Sequence, residues 1–137
     1  MSKSLIQVAN TSIQAVTPAT GSPAIVNLGS TIRRFGCNLV QNGNAIEESG
    51  GGYYGIEGTI TVTPTAAGIV TVALLENGEV IPGSQVSGSV STAGNPVTLP
   101  LLATSRIACC CGSSNITVGV VVGAGNVTNV ALKVVKE

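Results

Sequence analysis

The sequence contains no histidine, and its six acidic residues are all glutamates. Without histidine the chain cannot use imidazole acid–base catalysis, a Ser-His-Asp triad or an imidazole metal ligand. Without aspartate a two-carboxylate site must use glutamates, yet Glu47 and Glu48 are adjacent and point to opposite faces of a strand. Glu76 and Glu79 flank a turn and are expected to face solvent. These absences predict a protein that is not an enzyme and that uses no cofactor.

Charge and aromatic side chains are also scarce. Charged residues make up 9% of the chain, against about 25% in typical soluble domains. The mean hydropathy is +0.49, but no apolar run approaches the roughly 18 residues of a membrane span. The aromatic residues are Phe35, Tyr53 and Tyr54, so the core must consist of small branched side chains. Because a monomer so poor in charge would expose a large apolar surface, we expect an obligate oligomer.

The charge balance and the N-terminus limit the classes of partner. The net charge is zero and no basic stripe is present, so the sequence predicts no nucleic-acid partner. The first twelve residues lack the apolar stretch of a secretory signal peptide. We therefore expect synthesis in the cytoplasm, followed by retention there or release by lysis, and no membrane partner.

The four cysteines, Cys37 and Cys109-Cys110-Cys111, match a tetrathiolate zinc site in number but not in spacing. No Cys-x-x-Cys pair exists, and consecutive strand residues point to alternate faces. Adjacent Cα atoms lie about 3.8 Å apart, which is too short for an unstrained disulfide. Buried free thiols that act as small hydrophobes are favoured. A disulfide to Cys37, a zinc site, or a three-fold axis that gathers copies of one cysteine remain as alternatives.

The residues that are present predict an all-β, single-domain protein. Apolar runs of four to eight residues are bounded by Gly, Pro or Asn, which is typical of sandwiches and barrels. Asn77-Gly78 separates two apolar runs and predicts a type I′ hairpin turn. About ten short strands in this length favour a two-sheet antiparallel jelly roll. The predicted strands are 30–35, 37–41, 44–47, 53–63, 68–76, 79–89, 96–103, 105–111, 115–122 and 127–136.

Alternation along 53–63 separates a core face from an outer face. The residues expected in the core are Tyr54, Ile56, Ile60 and Val62, and those on the other face are Tyr53, Glu57, Thr59 and Thr61. The outward Tyr53 could stack on a sugar, but packing at a subunit interface is favoured. Phe35 is expected near the core, with Arg33-Arg34 at an edge. Tyr53, Phe35, Cys109 and Cys111 are the candidate oligomer or surface contacts.

Residues 1–25 carry two short apolar pieces followed by the segment TPATGSP. This composition predicts an extended N-terminal arm that could hold one edge strand and that is ordered by a neighbour. The jelly-roll domain is expected to span 26–137.

Two motifs resemble a known superfamily. Residues 52–56 (GYYGI), followed by 74–79 (LLENGE), resemble a strand and hairpin of trimeric jelly rolls of the tumour-necrosis-factor and complement globular-head superfamily. Ile56 stands where that family usually has Phe, and its later aromatic positions are missing. Pro82-Gly83-Ser84 after the hairpin is similar to the heads of spore-surface glycoproteins. Nearly the whole chain is similar to small virion structural proteins of phages and prophages of gut Firmicutes.

The resemblance implies a homotrimer located on the virion, with no catalytic residue. The leading hypothesis is a trimer that decorates the capsid or forms a short head fibre and that contacts capsid or other virion proteins through residues 1–25. One alternative is the receptor- or glycan-binding tip of a phage fibre, with Tyr53 and the loops STAGNP and CGSS at the site. A second alternative is a bacterial surface or spore-coat module.

Overall fold

The computed structural model describes residues 3–19, 21–108 and 112–136. These residues form thirteen strands and contain no helix, so no helix is available there to cross a membrane. The strands are β1 (Ser4–Asn10), β2 (Gln14–Val16), β3 (Ala24–Ile25), β4 (Ser30–Phe35), β5 (Leu39–Asn42), β6 (Ala45–Ser49), β7 (Gly52–Pro64), β8 (Gly68–Glu76), β9 (Glu79–Val80), β10 (Val86–Val90), β11 (Val97–Ile107), β12 (Ser113–Val122) and β13 (Gly125–Lys136).

The strands form two antiparallel sheets packed face to face. The first sheet has the order β11-β7-β13-β1-β4, and β2 pairs with β13. The second sheet has the order β10-β8-β12-β6-β5, with β3 paired to β12 and β9 paired to β8. Strands that are distant in sequence are neighbours in both sheets, as in a jelly roll rather than a meander. The predicted all-β, two-sheet architecture is therefore confirmed.

The core lies between the inner faces of the two sheets. Strand β7 contributes Tyr54, Ile56, Ile60 and Val62, each at most 1% exposed, which are the residues that the alternation assigned to the core. The Tyr54 hydroxyl donates to the carbonyl oxygens of Ser49 and Gly50, at 2.9 and 2.8 Å. The only aromatic ring in the core thus has its polar end satisfied at the edge of the sandwich.

The β8–β9 hairpin has the predicted turn. Asn77 and Gly78 both have positive φ, 52° and 87°, as a type I′ turn requires. The turn is also joined to β12, because the Asn77 amide donates to the Asn115 carbonyl and the Asn77 side chain accepts from the Asn115 amide, both at 2.9 Å.

The N-terminal residues differ from the predicted arm. Strand β1 is an interior strand of the first sheet, between β13 and β4, and its Ile6 and Val8 are fully buried. Strand β2 pairs with β13 in the first sheet, and strand β3 pairs with β12 in the second. Alternation in Ile6-Gln7-Val8 supplies an inward apolar face, which explains why this segment joins the sheet. Residues 4–10 are therefore part of the jelly roll.

Two strand boundaries also differ from the prediction. The predicted strands 96–103 and 105–111 are one strand, β11, over its described length. Pro100 is tolerated there because β11 is the edge of the first sheet, where the missing N–H removes no ladder bond. The predicted strand 79–89 is interrupted at 81–85, where the buried Ser84 hydroxyl donates to the Ile81 carbonyl at 2.7 Å. That side-chain bond closes a turn within the predicted strand.

Two side chains expected to be buried are exposed. Phe35 is 55% exposed, because it ends the edge strand β4 and points away from the second sheet. Cys37 is an exposed free thiol after the positive-φ Gly36. Cys109, Cys110 and Cys111 lie outside the described residues.

Candidate interface on the outer face of the first sheet

The outward side chains of β11, β7, β13, β1 and β4 form one continuous surface, which we call the open face. The pairing register places these side chains in rows that cross the sheet. From the β11 edge to the β4 edge, three successive rows are Thr104-Gly55-Val135-Leu5-Phe35, Leu102-Glu57-Lys133-Gln7-Arg33, and Pro100-Thr59-Ala131-Ala9-Ser30. The open face is therefore built by five strands from distant parts of the sequence.

Large apolar residues lie at the margins of the open face, and small residues lie between them in the first and third of these rows. Leu102 on β11 is 68% exposed and Phe35 on β4 is 55% exposed. Between them, Gly55 and Ala131 leave two shallow depressions of about 330 and about 520 Å³. These depressions could receive side chains of a partner surface.

The charges on the open face are few, and positive charges outnumber negative ones, because Lys133, Arg33 and Arg106 lie there with Glu57. Lys133 Nζ lies 2.7 Å from Glu57 Oε1 in the central row, and both side chains are partly exposed. The Arg106 guanidinium lies 5.7 Å from the centre of the Tyr53 ring at one corner, within range of a cation–π contact. Covering the centre of the open face would therefore bury a compensated ion pair, whereas a partner that covers Arg33 or Arg106 would need to supply an acceptor there.

The predicted contact residues lie at different places on this surface. Tyr53 lies at the β7–β11 corner beside Arg106, whereas Phe35 lies at the opposite edge, on β4. The two aromatic rings are therefore not parts of one small-molecule site. Cys109 and Cys111 lie outside the described residues, so the structure assigns them no position.

A second feature, the buried glutamate Glu48, was missed by the sequence analysis. Glu48 is fully buried, and the Ser105 hydroxyl donates to its Oε1 at 2.7 Å. Its Oε2 has no hydrogen-bond partner among the described residues. Burial raises the pKa of Glu48 to about 7; the Ser105 hydrogen bond opposes this shift, and the nearby Glu76 carboxylate adds to it. The sequence could have indicated that Glu48 points inward, because it lies two residues after the inward-facing Ile46 in a strand.

The arrangement does not resemble a catalytic or metal centre. In residues 3–19, 21–108 and 112–136, no three Cys, Asp or Glu side chains come together as metal ligands would. The polar groups of the open face are hydroxyls, amides, one ion pair and the guanidinium groups of Arg33 and Arg106, spread over five strands. This chemistry fits a surface that is buried by another protein.

Comparison with solved structures identifies the class of this sandwich. Murine APRIL at pH 5.0 matches with a TM-score of 0.66 and 14% identity, over 99% of this chain and 100% of that one. The globular domain of zebrafish complement 1qA matches with a TM-score of 0.61 and 10% identity, over 96% and 94%. The PRD1 vertex protein P5 matches with a TM-score of 0.51 and 10% identity, over 98% and 96%.

At these identities the likeness shows the fold, which is the jelly roll of tumour necrosis factors and complement globular heads. This agrees with the superfamily that the 52–56 and 74–79 motifs resemble. No family model matches the sequence, and no curated protein matches it. The origin in phages of gut Firmicutes stays a prediction.

Proposed function

We propose that this protein is a structural protein of a virion, a homotrimer that decorates the capsid or forms a short head fibre and carries out no catalysis. The observation that carries the proposal is the open face, a five-strand surface with few charges and with exposed apolar margins. Burying this surface between three copies would account for the low charge and the positive mean hydropathy of the chain.

The open face combines exposed apolar residues with an ion pair that is satisfied within the chain. Charged residues are depleted at the centres of protein interfaces, and apolar residues there exclude water. Obligate interfaces commonly bury about 2,000 Å² or more, a size that five adjacent strands could supply. The small residues Gly55 and Ala131 would let a neighbouring subunit approach the sheet closely at those two positions.

The location on a virion is supported by the similarity to a phage vertex protein. The proposal that the protein carries out no catalysis is supported by the lack of histidine and by the wide separation of the polar groups on the open face. The segment proposed to attach to capsid or other virion proteins was residues 1–25. Because β1 belongs to the first sheet, we now assign this attachment to residues 11–25.

Light scattering after size exclusion tests the homotrimer. Three chains of 13.5 kDa would give a species of about 40 kDa at all concentrations measured. A stable monomer would contradict the proposal and leave the open face without an occupant. Mass spectrometry of purified particles from a producing strain tests the location, because a virion protein copurifies with the capsid in stoichiometric amounts.

The glycan-binding alternative has one supporting observation. The Tyr53 ring is 55% exposed, as a sugar-stacking residue must be, although Arg106 lies over the ring. A glycan array would distinguish the two functions. Binding that is lost in Tyr53→Ala would favour the fibre tip, and an array without signal would favour the structural role.

A further inference from the structure

The chain contains two Asn-Gly steps, Asn42-Gly43 and Asn77-Gly78. In such a step the backbone nitrogen of the glycine can attack the side-chain carbonyl carbon of the asparagine. Glycine favours this reaction because it has no side chain to hinder the attack and because its backbone is free to rotate. Every other asparagine of the chain is followed by a residue with a side chain. These two steps are therefore the candidates for a spontaneous covalent change.

Both steps lie in exposed hairpin turns. Asn42 ends β5 and Gly43 begins the turn to β6, whereas Asn77 and Gly78 form the turn between β8 and β9. All four residues are exposed. Beyond the adjoining residues, no atom lies within 4 Å of the position that a Cβ would take on either glycine. Water reaches both steps, so exposure alone does not distinguish them.

The two asparagine side chains are held differently. The Asn77 side-chain oxygen accepts a hydrogen bond from the Asn115 amide at 2.9 Å. Ring closure at Asn77 would have to turn this side chain away from β12 and break that bond. In the β5–β6 turn the Gln41 side chain donates to the Gly43 carbonyl at 3.2 Å, which does not restrain the side chain of Asn42. Among the described residues, none forms a hydrogen bond with the Asn42 side chain.

The two turns also differ in the backbone change that they can tolerate. A succinimide ring alters the local backbone conformation, and isoaspartate lengthens the main chain by one atom. Strand β5 is the outermost strand of the second sheet and pairs with β6, so its turn can change while the interior strands stay paired. The β8–β9 turn is joined through Asn77 to β12, an interior strand of the same sheet.

We propose that Asn42-Gly43 is a site of spontaneous deamidation in the folded protein, and that the contact with β12 protects Asn77-Gly78. The Gly43 nitrogen loses its proton to solvent base and forms a bond to the Asn42 Cγ. The bond between Cγ and Nδ2 breaks, and the amide nitrogen leaves as ammonia. Water then opens the succinimide at either of its carbonyl groups, which gives aspartate or isoaspartate at this position.

The change supplies a carboxylate that the sequence does not encode. Each event replaces a neutral amide by an anion, so the formal net charge of 0 falls by one unit per subunit. The new charge lies at the β5 edge of the second sheet, near Glu47 on the paired strand β6. The inference does not depend on the proposed function, because the reaction needs only water and the folded chain.

The test compares the two steps within one molecule. Purified full-length protein is incubated at pH 8, and the increase of one mass unit is assigned to residue 42 or 77 by proteolysis and fragmentation mass spectrometry. In the folded protein we expect conversion at least about tenfold faster at Asn42 than at Asn77, a ratio that corresponds to about 1.4 kcal/mol in the barrier. In concentrated urea, where the contact with Asn115 is lost, the two steps should convert at nearly equal rates.

Asn42→Gln is the matched variant. Its longer side chain would have to close a six-membered ring, which forms far more slowly, so the fast conversion should disappear and the slow conversion at Asn77 should remain. A fast conversion that persists in this variant would assign the reaction to another residue and overturn the inference.

The remaining outcomes are equally decisive. Equal rates at the two steps in the folded protein, or faster conversion at Asn77, would overturn the inference. Conversion of both steps in urea with none at Asn42 in the folded protein would show that the fold protects both turns, and would overturn it as well. Rates in urea as unequal as those in the folded protein would contradict the protective role of the contact with Asn115.

Discussion

Glu48 is the residue with the least favourable surroundings in this sandwich. It pairs with Leu39 on β5 and with Ser114 on β12, and its side chain enters a core built almost entirely of aliphatic groups. The single hydrogen bond from Ser105 is insufficient to solvate a carboxylate, which normally accepts several. The neutral acid is therefore the form that the fold accommodates.

The stability of the protein should consequently depend on pH through this residue. The pKa of Glu48 rises from 4.5 to about 7 on folding, so the unfolded chain loses this proton first. Stability is fully present below pH 4.5, decreases between pH 4.5 and pH 7, and levels off above pH 7, with a total loss of about 3 kcal/mol.

The substitution Glu48→Gln should remove that dependence, because the amide keeps an acceptor for Ser105 and cannot ionise. Urea unfolding at pH 5 and pH 8 measures the effect, with Glu47→Gln on the other face of β6 as the control. If the two variants show the same pH profile, ionisation of Glu48 does not limit stability.

Gly58 is required by the close approach of two strands. Its backbone is in the ordinary strand region, but an added Cβ would collide with the Ala131 carbonyl oxygen and would lie 3.0 Å from the Leu132 Cα. Both obstacles are backbone atoms of β13, which cannot move without separating the central strands of the first sheet.

Gly58→Ala should therefore destabilise the protein by about 1–3 kcal/mol, the usual range for overpacking. Gly88→Ala is the control, because its added Cβ would meet only the side-chain ends of Leu99 and Val97. Thermal unfolding should rank Gly58→Ala clearly below Gly88→Ala. Equal melting temperatures would mean that β7 and β13 separate at little cost.

At the scale of elements, the β8–β9 hairpin depends on a local backbone conformation at its turn and on a hydrogen bond to the distant strand β12. Asn77 adopts a positive φ that most residues avoid, and its side chain also binds the Asn115 amide on β12. Replacement by alanine removes both contributions, so Asn77→Ala should lower the free energy of unfolding by about 1–2 kcal/mol. Asn44→Ala, in the exposed β5–β6 turn, should have little effect. Chemical denaturation of both variants measures the difference, and similar losses would contradict this role of Asn77.

The same hairpin shows which parts of the fold the sequence could predict. Asn-Gly turns and strict alternation act over a few residues, so the turn at 77–78 and the inward set on β7 could be derived locally. The central position of β1 could not, because it depends on the distant strands β13 and β4. A short apolar segment such as Leu5–Val8 reads equally well as an edge strand or an interior one.

Only single strands of the open face could be predicted, because the pairing of these strands depends on residues that are distant in sequence. Alternation placed Tyr53, Glu57, Thr59 and Thr61 on an outer surface, but it could not supply their neighbours. The ion pair of Glu57 with Lys133 and the contact of Tyr53 with Arg106 are fixed by the register between strands far apart in sequence. Phe35 was expected near the core, with Arg33-Arg34 at an edge, whereas its place at the end of the edge strand β4 exposes it.

At the scale of the whole molecule, the low charge divides the surface into separate regions. The open face of the first sheet carries the ion pair of Glu57 with Lys133 and the guanidinium groups of Arg33 and Arg106, whereas Glu47 and Glu79 lie on the second sheet. Self-association through the open face should then respond to substitutions on the first sheet and not to those on the outer face of the second.

Leu102→Glu tests whether the open face is the interface between subunits. Leu102 is 68% exposed in the central row of the open face, next to Glu57 on β7, so a new carboxylate there would meet a like charge and be buried in the trimer. We expect the mass in solution to fall from about 40 kDa to the 13.5 kDa of one chain, because burial of an unpaired charge strongly opposes association. The jelly roll itself should keep its β-sheet circular dichroism, since Leu102 contributes nothing to the core. Val40→Glu introduces the same charge on β5 of the second sheet, where Val40 is 40% exposed, and should leave the trimer intact. A trimer that survives Leu102→Glu but dissociates in Val40→Glu would move the interface to the second sheet.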